Sequence, residues 1–252
     1  MNNNITNDDI YQYLTGILRK SRKGNALDPD TFTKYLQTAN LEYWNKEWEK
    51  LGGTYRDTET FKPFLANHSD YISNYYVQLP SDYFLLLTET IMYNGNKVDF
   101  ISQTEYADRV SDELTQPTAT NPIAYFKEDS VSGAPTSYYI YIGGVETDGS
   151  NLLSFMYLKE PDEPFYDYYI DANSEVQYLT EGQSAYTLQT GEVYRDGTTS
   201  GSVTSTSKEL DWRDYDKIKI QNIILGYLGV QLEDQASYQH SNLQEQQDDI
   251  LK

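Results

Sequence analysis

The two histidines, His68 and His240, are the residues of this sequence best suited to acid–base chemistry near neutral pH. They are far apart in the sequence, and each lies among polar residues. A Ser-His-Asp set needs partners that this sequence does not single out, and the Gly-x-Ser-x-Gly motif is absent. We therefore expect both histidines to be ordinary surface residues, and we predict no catalytic residue.

Cofactor and metal sites have no support in the sequence either. The phosphate-binding patterns Gly-x-Gly-x-x-Gly and Gly-x-x-x-x-Gly-Lys-Ser/Thr do not occur. The chain has no cysteine, which excludes disulfides and thiolate metal ligands and fits a reducing compartment. The sequence thus predicts no cofactor, no metal-binding residue and no enzymatic activity.

Two acidic clusters are the remaining places for chemistry. Glu146, Asp148 and Asn151 faintly resemble a calcium loop, but the alternating acidic register and the closing glutamate are missing. A hairpin connection explains that segment better. The stretch 160–164, Glu-Pro-Asp-Glu-Pro, could supply the carboxylate pair of a glycoside hydrolase, although its prolines favour a rigid linker.

Tyrosine is unusually frequent, with 25 copies among 252 residues. Its ring can be buried while its hydroxyl stays hydrated, which suits surfaces that become buried on assembly. Tyrosine is also a common β-sheet residue, and both explanations remain open. At Tyr138, Tyr139 and Tyr141 the rings could stack on sugars or bases, but strand alternation allows only one or two of them to share a surface.

The charge balance is strongly acidic, with 39 Asp+Glu against 19 Lys+Arg and a net charge of −20. Such a chain repels nucleic acid and keeps separate copies soluble. A basic cluster within 19–23 (Arg19, Lys20, Arg22 and Lys23) lies at the end of a predicted helix, where it complements the helix dipole; a phosphate site is the alternative. Residues 1–9 do not resemble a secretory signal, and no apolar run is long enough to span a bilayer. We therefore expect no membrane partner.

Helices are expected at both ends of the chain. Asn7 or Asp8 caps the first, and Asp28 caps a second that begins with proline and ends at the glycines 52–53. Together these two predict an antiparallel helical hairpin.

A third helix is expected near the C-terminus. Asp211 or Asp214 caps it, its apolar residues recur at helical spacing, and Gly229 ends it. A polar, glutamine-rich helical tail follows at 233–251.

The middle of the chain changes to strand periodicity from about Tyr71. The turn Asn-Gly-Asn at 94–96 predicts a β-hairpin within 90–101, and 103–114 predicts a short helix. Further strands are predicted at 123–127, 137–142, 152–158 and, as an edge strand, 165–170. Residues 180–209 are rich in Gly, Ser and Thr and predict an exposed, flexible loop or a loosely held hairpin.

These elements predict an α+β fold in which the N-terminal helical hairpin and the C-terminal helices pack together around a β-rich middle segment. The predicted domains are a helical bundle from 1–70 and 210–252, and a β-rich insertion at 71–209 that carries the flexible loop at 180–209.

Several stretches, taken in order, carry a resemblance that spans most of the chain except 180–205. They are LDPDTF at 27–32 with 39–40, VQLPSDY at 77–83, EYADR at 105–109 with 117–118 and 121–124, FMYLKEP at 155–161, ELDW at 209–212, and IILGYLGVQL at 223–232 before the glutamine-rich tail. Together they resemble the head–tail connector, or neck-ring, proteins of tailed bacteriophages, in particular crAss-like and other Bacteroidales phages.

The resemblance implies a structural virion protein, made in the host cytoplasm and located in the neck or tail below the portal. It implies a homo-oligomeric ring, usually a dodecamer, whose partners are the portal or neighbouring neck and tail ring proteins. DNA would pass as cargo without specific binding, and the family has no catalytic residues to carry over. The alternative expectation, suggested by the tyrosines, is a carbohydrate-binding or other soluble interaction module.

Overall fold

The structure, a computed structural model, describes residues 4–20, 27–51, 59–129, 137–145 and 151–229. The chain divides into two compact units, one formed by Met1–Tyr55 with Asp162–Lys252 and the other by Arg56–Pro161. Helices flank a β-rich middle, which confirms the predicted α+β class.

The helices are α1 (Asn7–Lys20), α2 (Pro29–Lys50), α3 (Gln103–Ser111) and α4 (Asp214–Tyr227), and a 3₁₀ helix spans Glu59–Phe64. The strands are β1 (Leu65–Tyr71), β2 (Tyr76–Gln78), β3 (Tyr83–Tyr93), β4 (Asn96–Lys97), β5 (Asp99–Phe100), β6 (Ile123–Asp129), β7 (Ser137–Gly143), β8 (Leu152–Lys159), β9 (Tyr168–Ile170), β10 (Val176–Tyr178), β11 (Tyr186–Thr187), β12 (Val193–Tyr194) and β13 (Ser202–Val203).

Two of the three predicted helix caps differ from the observed ones. Asp28 caps α2 as predicted, accepting from the backbone N–H of Thr31 at 2.9 Å. For α1 the cap is Thr6, whose hydroxyl accepts from the N–H of Asp9 at 3.1 Å while the Asp9 carboxylate accepts from Thr6 N–H at 2.8 Å. The residue before α4 is Arg213, which makes no side-chain cap.

The carboxylate of Asp214, predicted as a possible cap of α4, instead ties the two ends of the chain together. It accepts from the N–H of Ile5 at 2.9 Å, and the ammonium of Lys217 donates to the Ile5 carbonyl at 2.7 Å. Behind these contacts α4 buries Ile220 and Ile224. The predicted packing of the N-terminal helices with the C-terminal helix is therefore confirmed for the described residues, and the tail predicted at 233–251 lies outside them.

The short strands between 162 and 209 belong to the same unit as these helices. They form a three-stranded sheet in the order β10-β9-β12 and a two-stranded pair, β11-β13. The strand predicted at the sheet edge near 165–170 is β9, which lies at the centre of its sheet, so that prediction was wrong. The segment predicted as a flexible loop at 180–209 contains β11, β12 and β13 and buries Leu188 and Tyr194.

A fully buried carboxylate, Asp167, holds this segment together. It forms an ion pair with the guanidinium of Arg195 at 3.0 Å and accepts from the hydroxyl of Tyr194 at 2.8 Å. The N–H groups of Tyr168 and Thr206 donate to the same carboxylate at 3.0 and 2.8 Å. A buried carboxylate with this many donors fixes the chain around it, because any donor left without it would remain desolvated.

The second unit is a sandwich of two four-stranded sheets, with orders β1-β8-β3-β4 and β2-β7-β6-β5. Apolar residues from both sheets share one core, which includes Ile91 and Phe155 from the first sheet and Ile140 and Ile142 from the second. The predicted hairpin turn is confirmed at Asn94 and Gly95, where both φ angles are positive, at 44° and 83°. After the turn the chain switches sheets, since β5 pairs in parallel with β6.

The units do not follow the predicted division at 71 and 209. The strand β1 ends at Tyr71, and it already belongs to the sandwich. Residues after 162 belong with the helices because aromatic packing attaches them there: the ring of Tyr166 lies 4.9 Å from that of Tyr11 and 5.3 Å from that of Phe32.

Hydrogen bonds from tyrosine hydroxyls to carboxylates recur in both units. They join Tyr43 to Asp216 (2.7 Å), Tyr157 to Asp82 (2.9 Å), Tyr166 to Asp8 (2.8 Å), Tyr178 to Glu209 (2.5 Å), Tyr186 to Glu192 (3.0 Å), Tyr194 to Asp167 (2.8 Å) and Tyr227 to Glu42. The abundant tyrosines and the abundant acids of this sequence therefore satisfy one another.

Replacing Asp167 by alanine should destabilise the unit that contains the helices by about 3 kcal/mol, because it leaves the Arg195 guanidinium and several N–H and O–H donors without this buried acceptor. Thermal unfolding followed by circular dichroism checks this. Glu49→Ala is the matched control, since Glu49 is exposed on α2. Equal melting temperatures for the two variants would contradict the role given to Asp167.

Raising the pH above 10 should destabilise the fold. Burial first, and the hydrogen-bonded carboxylate second, raise the pKa of Tyr157 and of Tyr227 from 10.0 to about 12. Burial and Asp216 raise the pKa of Tyr43 further still. Because the fold favours the neutral phenol, this stabilisation is complete below pH 10 and is lost as the pH rises through the folded-state pKa values.

The measurement is a tyrosinate absorbance titration of the native chain against the same titration in urea. We expect a group of tyrosines to ionise in the native chain only at higher pH, together with unfolding. Superimposable curves would show that the phenols are not protected.

Candidate functional site: a tyrosine face on the β-sandwich

The histidine that the structure describes is not an ordinary surface residue. His68 lies on β1 opposite Phe155 of β8, is partly buried, and its ring lies 5.3 Å from the phenyl ring. Its Nε2 atom is buried without a hydrogen-bond partner. The surface prediction for His68 was therefore wrong, because a polar edge strand still turns alternate side chains inward. His240 lies outside the described residues.

The acidic clusters do not form a joint site in the described part of the chain. Glu146 and Asp148 lie outside it, and Asn151 accepts from the side-chain amide of Asn94 at 2.7 Å. The strands that flank this segment, β7 and β8, belong to different sheets, so the predicted hairpin connection was wrong. In the stretch 160–164, which contains the boundary between the units, Asp162 pairs with Lys208 at 3.1 Å.

The basic cluster does not form an anion cradle among the described residues. Arg19 lines a groove of about 540 Å³ together with Asp28 and Glu175, so that both signs of charge meet there. Arg22 and Lys23 lie outside the described residues.

Within the described ranges no group of three or more His, Asp or Glu side chains could hold a metal ion. No helix in the same ranges is long and apolar enough to cross a membrane.

The most distinctive surface of the described structure is the outer side of the β2-β7-β6-β5 sheet. Strand alternation separates the tyrosines of β7 as predicted. Tyr138 turns toward the core, where its ring lies 5.6 Å from Phe126, whereas Tyr139 and Tyr141 point to the opposite side. On that side they are partly exposed.

Tyrosines from neighbouring elements extend this surface into a continuous row of rings. Tyr76 of β2 lies 5.1 Å from Tyr139 and 5.5 Å from Tyr141. Tyr141 stacks on Tyr125 of β6 at 5.3 Å, and Tyr125 contacts Tyr106 of α3 at 4.6 Å. We call these five residues the tyrosine face. Its cross-strand pairs follow directly from the register that places Tyr141 opposite both Tyr76 and Tyr125.

One end of the tyrosine face is fixed by α3. Arg109 of α3 forms ion pairs with Asp99 of β5 at 2.8 Å and with Glu105 at 2.6 Å, which holds the helix beside the sheet. Tyr106 then lies over Gly143, where a Cβ atom would approach its hydroxyl to 2.9 Å. Burial, and next the phenols of Tyr125 and Tyr75, raise the pKa of Tyr106, so its hydroxyl stays a neutral donor.

Charged side chains border the rings, since Arg109 pairs with Asp99 and Glu105 at the α3 end. Lys127 lies on the same side of β6, with its ammonium 5.3 Å from the centre of the Tyr141 ring. Among the described residues, no carboxylate accepts a hydrogen bond from the five hydroxyls of the tyrosine face. The face therefore offers flat rings and phenolic donors beside Lys127, which suits binding.

The position of Tyr139 and Tyr141 on one surface was predictable from strand period. The contributions of Tyr76, Tyr106 and Tyr125 were not, because they depend on strand order and on where α3 packs. Compared with known protein families and with curated proteins, the chain matches no family model and no curated sequence.

Proposed function

We propose that the protein is a structural virion component that assembles with copies of itself into a ring in the head–tail connector of a tailed phage. The observation that supports this best is the tyrosine face, a row of adjoining rings in which Tyr76, Tyr139 and Tyr141 are partly exposed. The sequence resemblance to phage neck-ring proteins supplies the setting.

Electrostatics favours this surface as the contact between copies. Two chains that each carry a charge of −20 repel one another, and neutral tyrosine rings add no charge to a contact between them. Tyrosine is enriched at the centres of protein interfaces because its ring buries area at a small entropic cost. A ring then requires that the face meets a different surface of the next copy, since head-to-tail contacts are those that close into rings.

A carbohydrate-binding module is the second candidate, and one observation favours it. Tyr76, Tyr139 and Tyr141 offer neighbouring rings on one surface, which is an arrangement that can stack on a sugar chain. Binding on a glycan array by the unassembled chain, lost when these tyrosines are replaced, would favour that function over the ring.

Replacing Tyr139 and Tyr141 together by serine should abolish ring assembly while leaving the subunit folded. Each interfacial tyrosine contributes about 2 kcal/mol or more, which is roughly thirty-fold in the dissociation constant per residue. Sedimentation velocity of the wild-type chain and the variant measures the effect. Tyr13→Ser is the matched control, because Tyr13 is 48% exposed on α1 and belongs to neither sheet of the sandwich. Unchanged assembly of the double variant would contradict the proposal.

If the ring surrounds a DNA conduit, the chain should show no affinity for duplex DNA at physiological salt. An acidic or neutral wall repels phosphates, whereas a cationic wall would hold each passing phosphate. Filter binding with a short duplex tests this. Micromolar, salt-sensitive binding would contradict the conduit.

A further inference from the structure

The strand β1 is an open edge of the sandwich. It pairs with β8 along its full length of 7 residues, from Leu65 opposite Leu158 to Tyr71 opposite Leu152. In the part of the chain that the structure describes, no strand pairs with its other side. Asn67, Ser69 and Tyr71 are exposed.

The hydrogen-bond pattern shows which backbone groups of β1 remain available. The N–H of Ile72 donates to the carbonyl of Asn151 at 3.0 Å, so the even-numbered residues of β1 are those that exchange hydrogen bonds with β8. The odd-numbered residues, including Asn67 and Ser69, therefore point their N–H and C=O groups away from the sheet. In agreement, the N–H of Tyr71 donates to the side chain of Asp70 at 2.8 Å instead of to a strand.

The other edges of the two sheets are protected and β1 is not. β2 has 3 residues, and β4 and β5 have 2 each, which is too short to template a partner. The pairing of β3 is interrupted by register shifts. β1 is regular and contains no proline, lysine or arginine, and Asp70 is its one charged residue.

We propose that β1 pairs antiparallel with β1 of a second copy of this chain, so that the β1-β8-β3-β4 sheets of both copies become one continuous sheet. Among the described edges of the sandwich, only β1 is long enough to match β1. A register centred on His68 pairs all of the strand and sets Asn67 opposite Ser69 of the other copy, with their outward groups in mutual hydrogen bonds. Asp70 then lies opposite Ala66, so no two carboxylates face each other.

This register also places Nε2 of His68, which is buried without a hydrogen-bond partner, at the contact between the two copies. His68 lies on the two-fold axis beside His68 of the second copy, in a position that exchanges no backbone hydrogen bonds. The Asp70 carboxylate of the second copy is then a diagonal neighbour within reach of Nε2. The contact pairs a surface with itself and closes as a dimer, so it does not depend on the tyrosine face or on the ring.

Because the chain has no cysteine, a single introduced cysteine tests the register. His68→Cys sets two thiols on facing residues whose Cα atoms lie about 4.5 Å apart, within disulfide range. With oxidised glutathione, two chain thiols yield one disulfide and two molecules of reduced glutathione. Asn67→Cys is the matched control, since its two copies would be separated by more than about 7 Å and should not bond. Each cysteine variant also carries Tyr139→Ser and Tyr141→Ser. These substitutions remove the ring contact, so the cross-linking result does not depend on ring assembly.

Ser69→Pro is the second variant. This substitution removes an N–H that points away from the sheet, and it breaks no hydrogen bond to β8. The melting temperature of the variant should therefore equal that of the wild type, while the dimer should disappear in sedimentation. A disulfide dimer with His68→Cys but not with Asn67→Cys, lost on adding Ser69→Pro, supports the pairing. Equal cross-linking of both cysteine variants, cross-linking of neither, or a dimer that survives Ser69→Pro would overturn it.

Discussion

Buried carboxylates of this chain are stabilised by hydrogen bonds from tyrosine hydroxyls as well as by ion pairs with cations. Acids outnumber lysine and arginine by 39 to 19, so cations alone cannot partner every acid. A phenol that donates to a carboxylate supplies a charge-assisted hydrogen bond and packs its ring at the same time. Asp216, with 1% exposure, binds Tyr43 in this way, and Asp167, with none, binds Tyr194.

These bonds connect parts of the chain that are distant in sequence, which is why the fold depends on them. Tyr43 of α2 reaches Asp216 of α4, and Tyr166 reaches Asp8 of α1. The tyrosines therefore fall into two populations, those bonded to carboxylates and those of the tyrosine face. Those bonded to carboxylates stabilise the subunit. The tyrosines of the tyrosine face have no carboxylate partner among the described residues, and Tyr76, Tyr139 and Tyr141 are partly exposed. The second population is the one available for binding.

The parts of the fold that sequence predicted well are those determined by local chemistry. The cap at Asp28, the hairpin turn at Asn94–Gly95, and the strands β6, β7 and β8 follow from short-range signals. The strand β1 was missed because its residues are mostly polar, as an edge strand allows. The central position of β9, the inward side of His68 and the attachment of 162–209 to the helices all depend on contacts between distant residues. The candidate site was half predictable for the same reason: period two places Tyr139 and Tyr141, but only the sheet order brings Tyr76 and Tyr125 beside them.

The distinction between carboxylate-bonded tyrosines and the tyrosine face is tested most directly by tyrosine nitration. The nitrated sites are mapped by mass spectrometry on the dissociated and on the assembled chain. We expect Tyr76, Tyr139 and Tyr141 to react in the dissociated chain and to become protected on assembly. The carboxylate-bonded Tyr43, Tyr166 and Tyr194 should resist reaction in both states, because they are buried and remain neutral. Reaction of the buried tyrosines first, or no change at the tyrosine face on assembly, would contradict it.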